Sequence, residues 1–152
     1  MMRLYFLRHG PADWPDWKKP DDERPLTKAG RKEVHEVGEL LAALGVHLDV
    51  ILTSPLPRAA QTADIAAEHL KVRAHEEKLL APGFSAEDLK RLLRKYPQQV
   101  LMLVGHEPDF TGVITALTGA NLKLSKSGLA LVSLNGQKGE LRWLVPPKFA
   151  KT

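Results

Sequence analysis

The sequence predicts an α/β fold: a mostly parallel sheet with helices on both faces and an antiparallel hairpin added at one side. Three observations carry this. Apolar runs without polar alternation recur at residues 4–7, 50–52 and 100–104, and such runs read as strands covered on both faces, as in a parallel sheet. Segments with helical spacing alternate with them, the order that wraps helices around a parallel sheet. Near the C-terminus the pattern changes to two strand-like runs flanking Asn135-Gly136, which is a hairpin signal.

Each element follows from its residues. The first strand is expected over residues 3–8, and a loop rich in Pro, Asp and Trp follows over residues 11–25. Thr27 is suited to cap a helix over residues 28–44, because its hydroxyl can accept an orphan first-turn amide. Val34, Val37, Leu41 and Leu44 share one face of that helix, and Gly45 ends it. A second strand is expected over residues 49–53. Pro57 fits a first helical position, and Ala59, Ala63, Ala66 and Leu70 give that helix a small-residue packing face. Residues 72–74 are a short strand candidate. Ser85 and Asp88 have the spacing of a capping box, and Leu89, Leu92, Leu93 and Tyr96 continue at helical spacing. The strand over residues 100–104 leads to a helix opened by Pro108, with Phe110, Val113, Ile114 and Leu117 inward and Gly119 at its end. Residues 129–134 and 141–145 form the hairpin, and Pro146-Pro147 stops it. Residues 148–152 are expected to fray.

Bulk properties narrow the class. The chain has 152 residues, 43% hydrophobic and 26% charged, which fits one soluble globular domain with a real core. It has no cysteine, so disulfides and Cys-ligated metals are excluded, and a cytoplasmic location is expected. No apolar run approaches the roughly 18 residues of a membrane helix, and Arg8 breaks the N-terminal apolar stretch too early for a signal peptide. The net charge of +4 comes from 22 basic and 18 acidic residues. The basic residues are dispersed, which argues against nucleic acid and is compatible with a phosphorylated substrate.

Ligands of open α/β sheets bind just beyond the carboxyl ends of the strands. Three such ends here carry chemistry. Arg8-His9-Gly10 closes the first strand, Ser54-Pro55-Leu56-Pro57-Arg58 follows the second, and Gly105-His106-Glu107-Pro108 follows the strand over residues 100–104. A neutral imidazole such as that of His9 can attack phosphorus and carry the phosphoryl group covalently. Adjacent guanidiniums disfavour the imidazolium and also hold an anion. Gly10 is expected to let the backbone turn and an anion approach. Arg58 sits in a helix's first turn, where its charge opposes the dipole unless an anion lies between them. His106 precedes another helix and can donate to a phosphate oxygen, best when protonated.

Taken singly, each fragment also has a purely structural reading; taken together, they resemble the histidine phosphatase superfamily, also called phosphoglycerate mutase-like. Arg8, His9 and Gly10 match its Arg-His-Gly triplet. Leu26-Thr27-Lys28-Ala29-Gly30 is similar to its Leu-Thr-x-x-Gly helix start. Ser54-Pro55, Arg58-Ala59 and Gln61-Thr62-Ala63 match its second block, and Val104-Gly105-His106 with Pro108 its third. The short chain and third block look most like the SixA-type phosphohistidine phosphatases. The resemblance implies a three-layer α/β/α sandwich, formed by residues 1–152 as a single histidine phosphatase domain without a cap insertion. It implies that His9 is the phosphorylated nucleophile, that Arg8, Arg58 and His106 complete the phosphate pocket, and that no metal or other cofactor is needed.

The general acid stays open. Glu107 directly follows the second histidine, where some branches of the family place an acid, and others place a Glu after the third strand, near Glu76 and Glu77. Asp13 and Asp109 are further candidates, and each of these carboxylates has an alternative as a solvated or helix-capping group. Arg24 is a candidate to reach the pocket from the long loop. Trp14 and Trp17 form either a substrate-facing wall or a small core within that loop. His35, His47, His69 and His75 read as bystanders, and the histidines lack the carboxylate pattern of a metal site.

The expected function is a metal-independent phosphatase working through phospho-His9, most of all on phosphohistidine in a partner protein in signalling. Residues 75–99 leave little material for a lid, and an open site suits a protein substrate. A broad small-molecule phosphomonoesterase and a non-catalytic phosphate- or phosphoprotein-binding module are the alternatives. A clear acid near His9 would favour the first, and absence of a covalent intermediate the second.

Overall fold

A computed structural model describes residues 1–151. The elements, in chain order, are β1 (Met2–Arg8), α1 (Lys28–Ala43), β2 (Val50–Thr53), α2 (Pro57–Leu70), β3 (Ala74–Glu76), α3 (Ala86–Lys95), β4 (Val100–Gly105), α4 (Asp109–Thr118), β5 (Leu129–Asn135) and β6 (Lys138–Val145). Short 3-10 turns cover Asp21–Glu23, Lys78–Leu80 and Pro147–Ala150. One six-stranded sheet runs in the order β3-β2-β4-β1-β5-β6. Its β3, β2, β4 and β1 strands are mutually parallel, and β5 and β6 add antiparallel pairing beside β1.

Alternation along the buried strands divides the core into two layers. Leu4 and Phe6 of β1, with Leu101 and Leu103 of β4, face Leu89 and Leu92 of α3 and Phe110 and Ile114 of α4. Tyr5, Leu7, Met102 and Val104 face the other way, onto Val37 and Leu41 of α1 and Ala59, Ala63 and Ala66 of α2. This is the three-layer α/β/α sandwich. Phe6 and Phe110, both fully buried, meet edge to face with centroids 5.2 Å apart; burial of each such ring is worth roughly 1.5–3 kcal/mol. The small alanines of α2 let it lie close against the sheet and α1, and so fix its N-terminus at the site.

The local signals work as their chemistry requires. Thr27 accepts the Gly30 amide at 2.9 Å and starts α1. Ser85 and Asp88 form a reciprocal capping box on α3. The hairpin turns at Gly136, whose φ of +64° is the left-handed conformation glycine favours.

Four expectations are corrected. The third strand lies at Ala74–Glu76 rather than at residues 72–74, because Lys71 caps α2 in the left-handed conformation and Ala74 is the residue that pairs with Ile51. Leu44 does not join the buried face of α1; it is the C-cap and 47% exposed. The C-terminal residues do not fray throughout: Ala150 packs against the α1/α2 side of the core, and Lys151 Nζ lies 3.4 Å from Glu33. Gly10 has no left-handed backbone; a Cβ there would come within 2.5 Å of a Val34 methyl, so the residue is required by close packing of β1's end on α1.

Candidate active site

The carboxyl ends of β1, β2 and β4 meet because β4 lies between β1 and β2 in the sheet. Arg8 pairs with Gly105 in register, so the chain leaves β1 and β4 side by side and carries His9 and His106 out together. Their ring centroids are 5.3 Å apart with planes tilted by 57°. Gly105 is needed at this point, since a Cβ would meet the Phe110 ring at 2.7 Å. Across from them α2 presents Arg58 from its first turn. These groups form the floor of a cavity of about 320 Å³.

The floor is dry. His9, His106 and Arg58 are buried, at 8%, 4% and 6% exposure. His9 Nδ1 lies 2.7 Å from the Gly10 carbonyl oxygen. A carbonyl only accepts, so Nδ1 carries the hydrogen and Nε2 keeps its lone pair free. His106 Nε2 lies 2.8 Å from Ser54 Oγ, and Ser54 Oγ also accepts the Leu56 amide, which ties the imidazole to the β2–α2 turn. Burial lowers the pKa of both rings to about 4, helped by Arg58 and Arg8 and, for His9, by His106. Both are therefore neutral near pH 7, so His106 acts as a neutral ring there, not in the protonated form in which it would donate best.

The guanidiniums are held by carbonyls and left incompletely satisfied. Arg8 donates to the Leu124 carbonyl at 3.0 Å, and Arg58 to the Asp21 carbonyl at 3.3 Å. The Nε of each is buried without a partner. Such orphan donors cost free energy unless a ligand satisfies them. Together with the free N–H groups of a helix start, such donors have the chemistry to hold an anion.

The rim is built by residues of other segments. Arg24 does line the cavity; it donates to the Ala12 carbonyl at 2.6 Å and to Asp21 Oδ1 at 2.8 Å. Asp13 lines it as well, paired with Lys126 at 2.6 Å, and that hydrogen bond holds its carboxyl below the usual range. Glu107 lines it, but both carboxylate oxygens accept from Thr111, one from the amide at 2.7 Å and one from the hydroxyl.

The remaining candidates lie elsewhere. Asp109 accepts the Gly83 amide at 2.8 Å and closes the loop before α3. Glu77 is buried beneath α3, where it accepts from Leu79, Lys95 and Tyr96; burial alone would raise its pKa, but these donors outweigh it and lower it. Glu76 is exposed on β3 and does not line the cavity. Trp14 and Trp17 pack with ring centroids 6.1 Å apart and planes tilted by 37°, and donate to the Pro25 and Pro20 carbonyls, so they brace the loop from outside the cavity. His35 and His69 meet at 2.9 Å between α1 and α2, away from the site. Among the described residues no group of three or more His, Asp or Glu is arranged to hold a metal ion.

Sequence reasoning missed Asp21, Asp22, Pro82 and Lys126 on the rim, and the tie between Ser54 and His106. Ser54 stands within the second motif block. The two aspartates stand in the Asp-rich loop, with no periodicity to aim them.

Comparison with known proteins agrees with this picture. Residues 4–81 match the model of the histidine phosphatase superfamily, branch 1. A protein of Picosynechococcus sp. is 41% identical over 137 residues, covering 84% of this chain and 82% of that protein. The phosphatase PhoE of Bacillus subtilis is 24% identical over 184 residues, covering 95% of this chain and 93% of that one. Among solved structures, the protein histidine phosphatase SixA complexed with tungstate superposes with a TM-score of 0.87 at 23% identity, over 99% of this chain and 100% of that one. A SixA-type protein of Agrobacterium tumefaciens gives 0.83 at 25% identity, over 96% and 98%. By sequence and by fold, the chain belongs to the histidine phosphatase superfamily and is a phosphatase.

Proposed function

We propose that this phosphatase acts on phosphohistidine in a partner protein, through a phosphoryl intermediate on His9. One observation carries the reading: the cavity floor holds a neutral imidazole and two guanidiniums with orphan donors, while Asp13 and Glu107, the candidate acids that line it, are committed to Lys126 and Thr111. The site is furnished for nucleophile and oxyanion, and sparsely for an acid.

The chemistry follows from that inventory. Arg8, Arg58 and His106 hold the phosphoryl oxygens, with the charge developing on them stabilised by donors already fixed in place. The lone pair of His9 Nε2 forms a bond to phosphorus, and the substrate's P–N bond breaks with its electron pair going to the departing ring nitrogen. When the other nitrogen of that ring is protonated, the ring leaves as neutral imidazole and needs no proton from an enzyme acid. Water then attacks phospho-His9; the Nε2–P bond breaks with its electron pair returning to Nε2, so His9 regains its neutral form with the hydrogen still on Nδ1, and the water's protons leave with the phosphate or pass to solvent. The guanidiniums supply the cations, so the reading uses no metal. An alkoxide would need a donor, which is why a phosphomonoester is the poorer fit; Glu107, the one candidate acid beside His106 on the rim, is the feature that favours the small-molecule alternative.

Access supports a protein substrate. Of residues 75–99 only Pro82 lines the cavity, so this segment builds no roof over it. The reading places the enzyme in cytoplasmic signalling, in keeping with a chain that has no cysteine and no helix, among the described residues, long and apolar enough to cross a membrane. Turnover of a phosphohistidine protein against a panel of phosphomonoesters, with chelator present, tests it. Phosphohistidine should be preferred by at least about tenfold in kcat/KM, roughly the size of one charge-assisted contact; preference for a small phosphomonoester overturns it.

A further inference from the structure

Resting on the reading above, we infer that Asp22 sets the charge of the leaving group this site accepts, favouring a cationic one. In-line transfer puts nucleophile and leaving group on opposite sides of phosphorus. His9 is on the buried floor, so the leaving group must project outward past the rim. The rim bears four carboxylates, Asp13, Asp21, Asp22 and Glu107, against two cations, Arg24 and Lys126. The floor has the opposite sign, and the buried, unpartnered Nε atoms of Arg8 and Arg58 point to the anion it takes. A dianionic phosphoryl group joined to a positively charged leaving group matches both zones.

The four carboxylates are not equivalent. Asp13 is neutralised by Lys126, Asp21 holds Arg24, and Glu107 is occupied by Thr111. Asp22 lines the cavity, is exposed, and makes no hydrogen bond or ion pair among the described residues. Its charge reaches the Arg58 guanidinium, which it stabilises, and is otherwise open to what passes the mouth. For a phosphohistidine substrate that charge keeps the proton on the ring and so keeps the leaving group neutral on departure. For a phosphorylated carboxylic acid it is repulsive.

The test compares wild type, Asp22→Asn and Asp22→Glu on a phosphohistidine peptide, phosphocholine, para-nitrophenyl phosphate and 3-phosphoglycerate at low salt. In Asp22→Asn the kcat/KM ratio of phosphohistidine to para-nitrophenyl phosphate should fall about fivefold, the scale of one unit charge a few ångströms away, and that of phosphocholine to 3-phosphoglycerate, whose leaving groups differ by two charges, by up to about twenty-five-fold. Asp22→Glu should keep them. In wild type the same ratios should shrink with added salt, because exposed charges are screened, and they should shrink less in Asp22→Asn. Ratios that stay within twofold in Asp22→Asn and are insensitive to salt overturn the inference, even with phosphohistidine well hydrolysed. If phosphohistidine is not hydrolysed but the phosphocholine to 3-phosphoglycerate ratio falls in Asp22→Asn, the rim inference stands and the phosphohistidine reading fails.

Discussion

The rings of His9 and His106 lie 5.3 Å apart because Arg8 and Gly105, the residues before them, are register partners in adjacent parallel strands. The sheet therefore sets the spacing of the two imidazoles, and each is then fixed by one local contact: the Gly10 carbonyl for His9, Ser54 for His106.

Arg58 is expected to resist conservative replacement. Its fork is buried, and an ammonium cannot reproduce two parallel donors. Arg58→Lys should lower kcat/KM on the order of a hundredfold and weaken competitive inhibition by vanadate or inorganic phosphate. Inhibition constants that do not change would show that the anion sits elsewhere.

Ser54 is expected to act through His106. Ser54→Ala removes the hydroxyl 2.8 Å from Nε2 and leaves the Leu56 amide without its acceptor. A loss of about 1 kcal/mol in stability is expected, with a rate loss of roughly fivefold to tenfold. Steady-state kinetics and thermal melts measure both; a wild-type rate in a destabilised variant would reduce Ser54 to a turn residue.

The pH dependence has a definite sign. His9 and His106 titrate at about 4 when folded, against 6.5 for a free ring. The rate limb that reports His9 should thus be flat from neutral pH to about 5 and fall as pH drops toward 4. Stability runs in parallel. Below pH 6.5 the unfolded chain takes up protons that the folded site refuses, so stability declines from there to about 4 and then levels. An acid limb near 6.5 in kcat/KM, the value of a free ring, would mean that His9 is not held neutral by its surroundings.

Glu77 should affect stability alone. Its carboxylate accepts from Leu79, Lys95 and Tyr96 and does not line the cavity. Glu77→Ala should cost about 1–3 kcal/mol, seen as a lower Tm, with kcat per folded molecule unchanged. A large drop in kcat would make it a candidate acid again.

The floor of the site is legible in the amino-acid sequence, and the rim is not. Buried parallel strands need unbroken apolar runs, so the strand ends bearing His9, Ser54 and His106 stand out, and small-residue spacing marks α2. Asp21 and Asp22 come from a loop whose path is set by Arg24, by the Arg58 contact to the Asp21 carbonyl and by the braced Trp14 and Trp17. Lys126 comes from an irregular segment before β5. Neither segment has a periodicity that a sequence could show. Glu77 misleads because position after a strand says nothing about which way a side chain turns; three donors turn it inward.

The central claim is that His9 carries the phosphoryl group. Rapid quench of the wild-type enzyme with radiolabelled substrate should trap a phosphoenzyme that is acid-labile and base-stable, and peptide mapping should place the label on His9. His9→Ala should give no label and lose nearly all turnover while keeping a cooperative melt. Label on another residue, or near wild-type turnover by folded His9→Ala, would contradict the account.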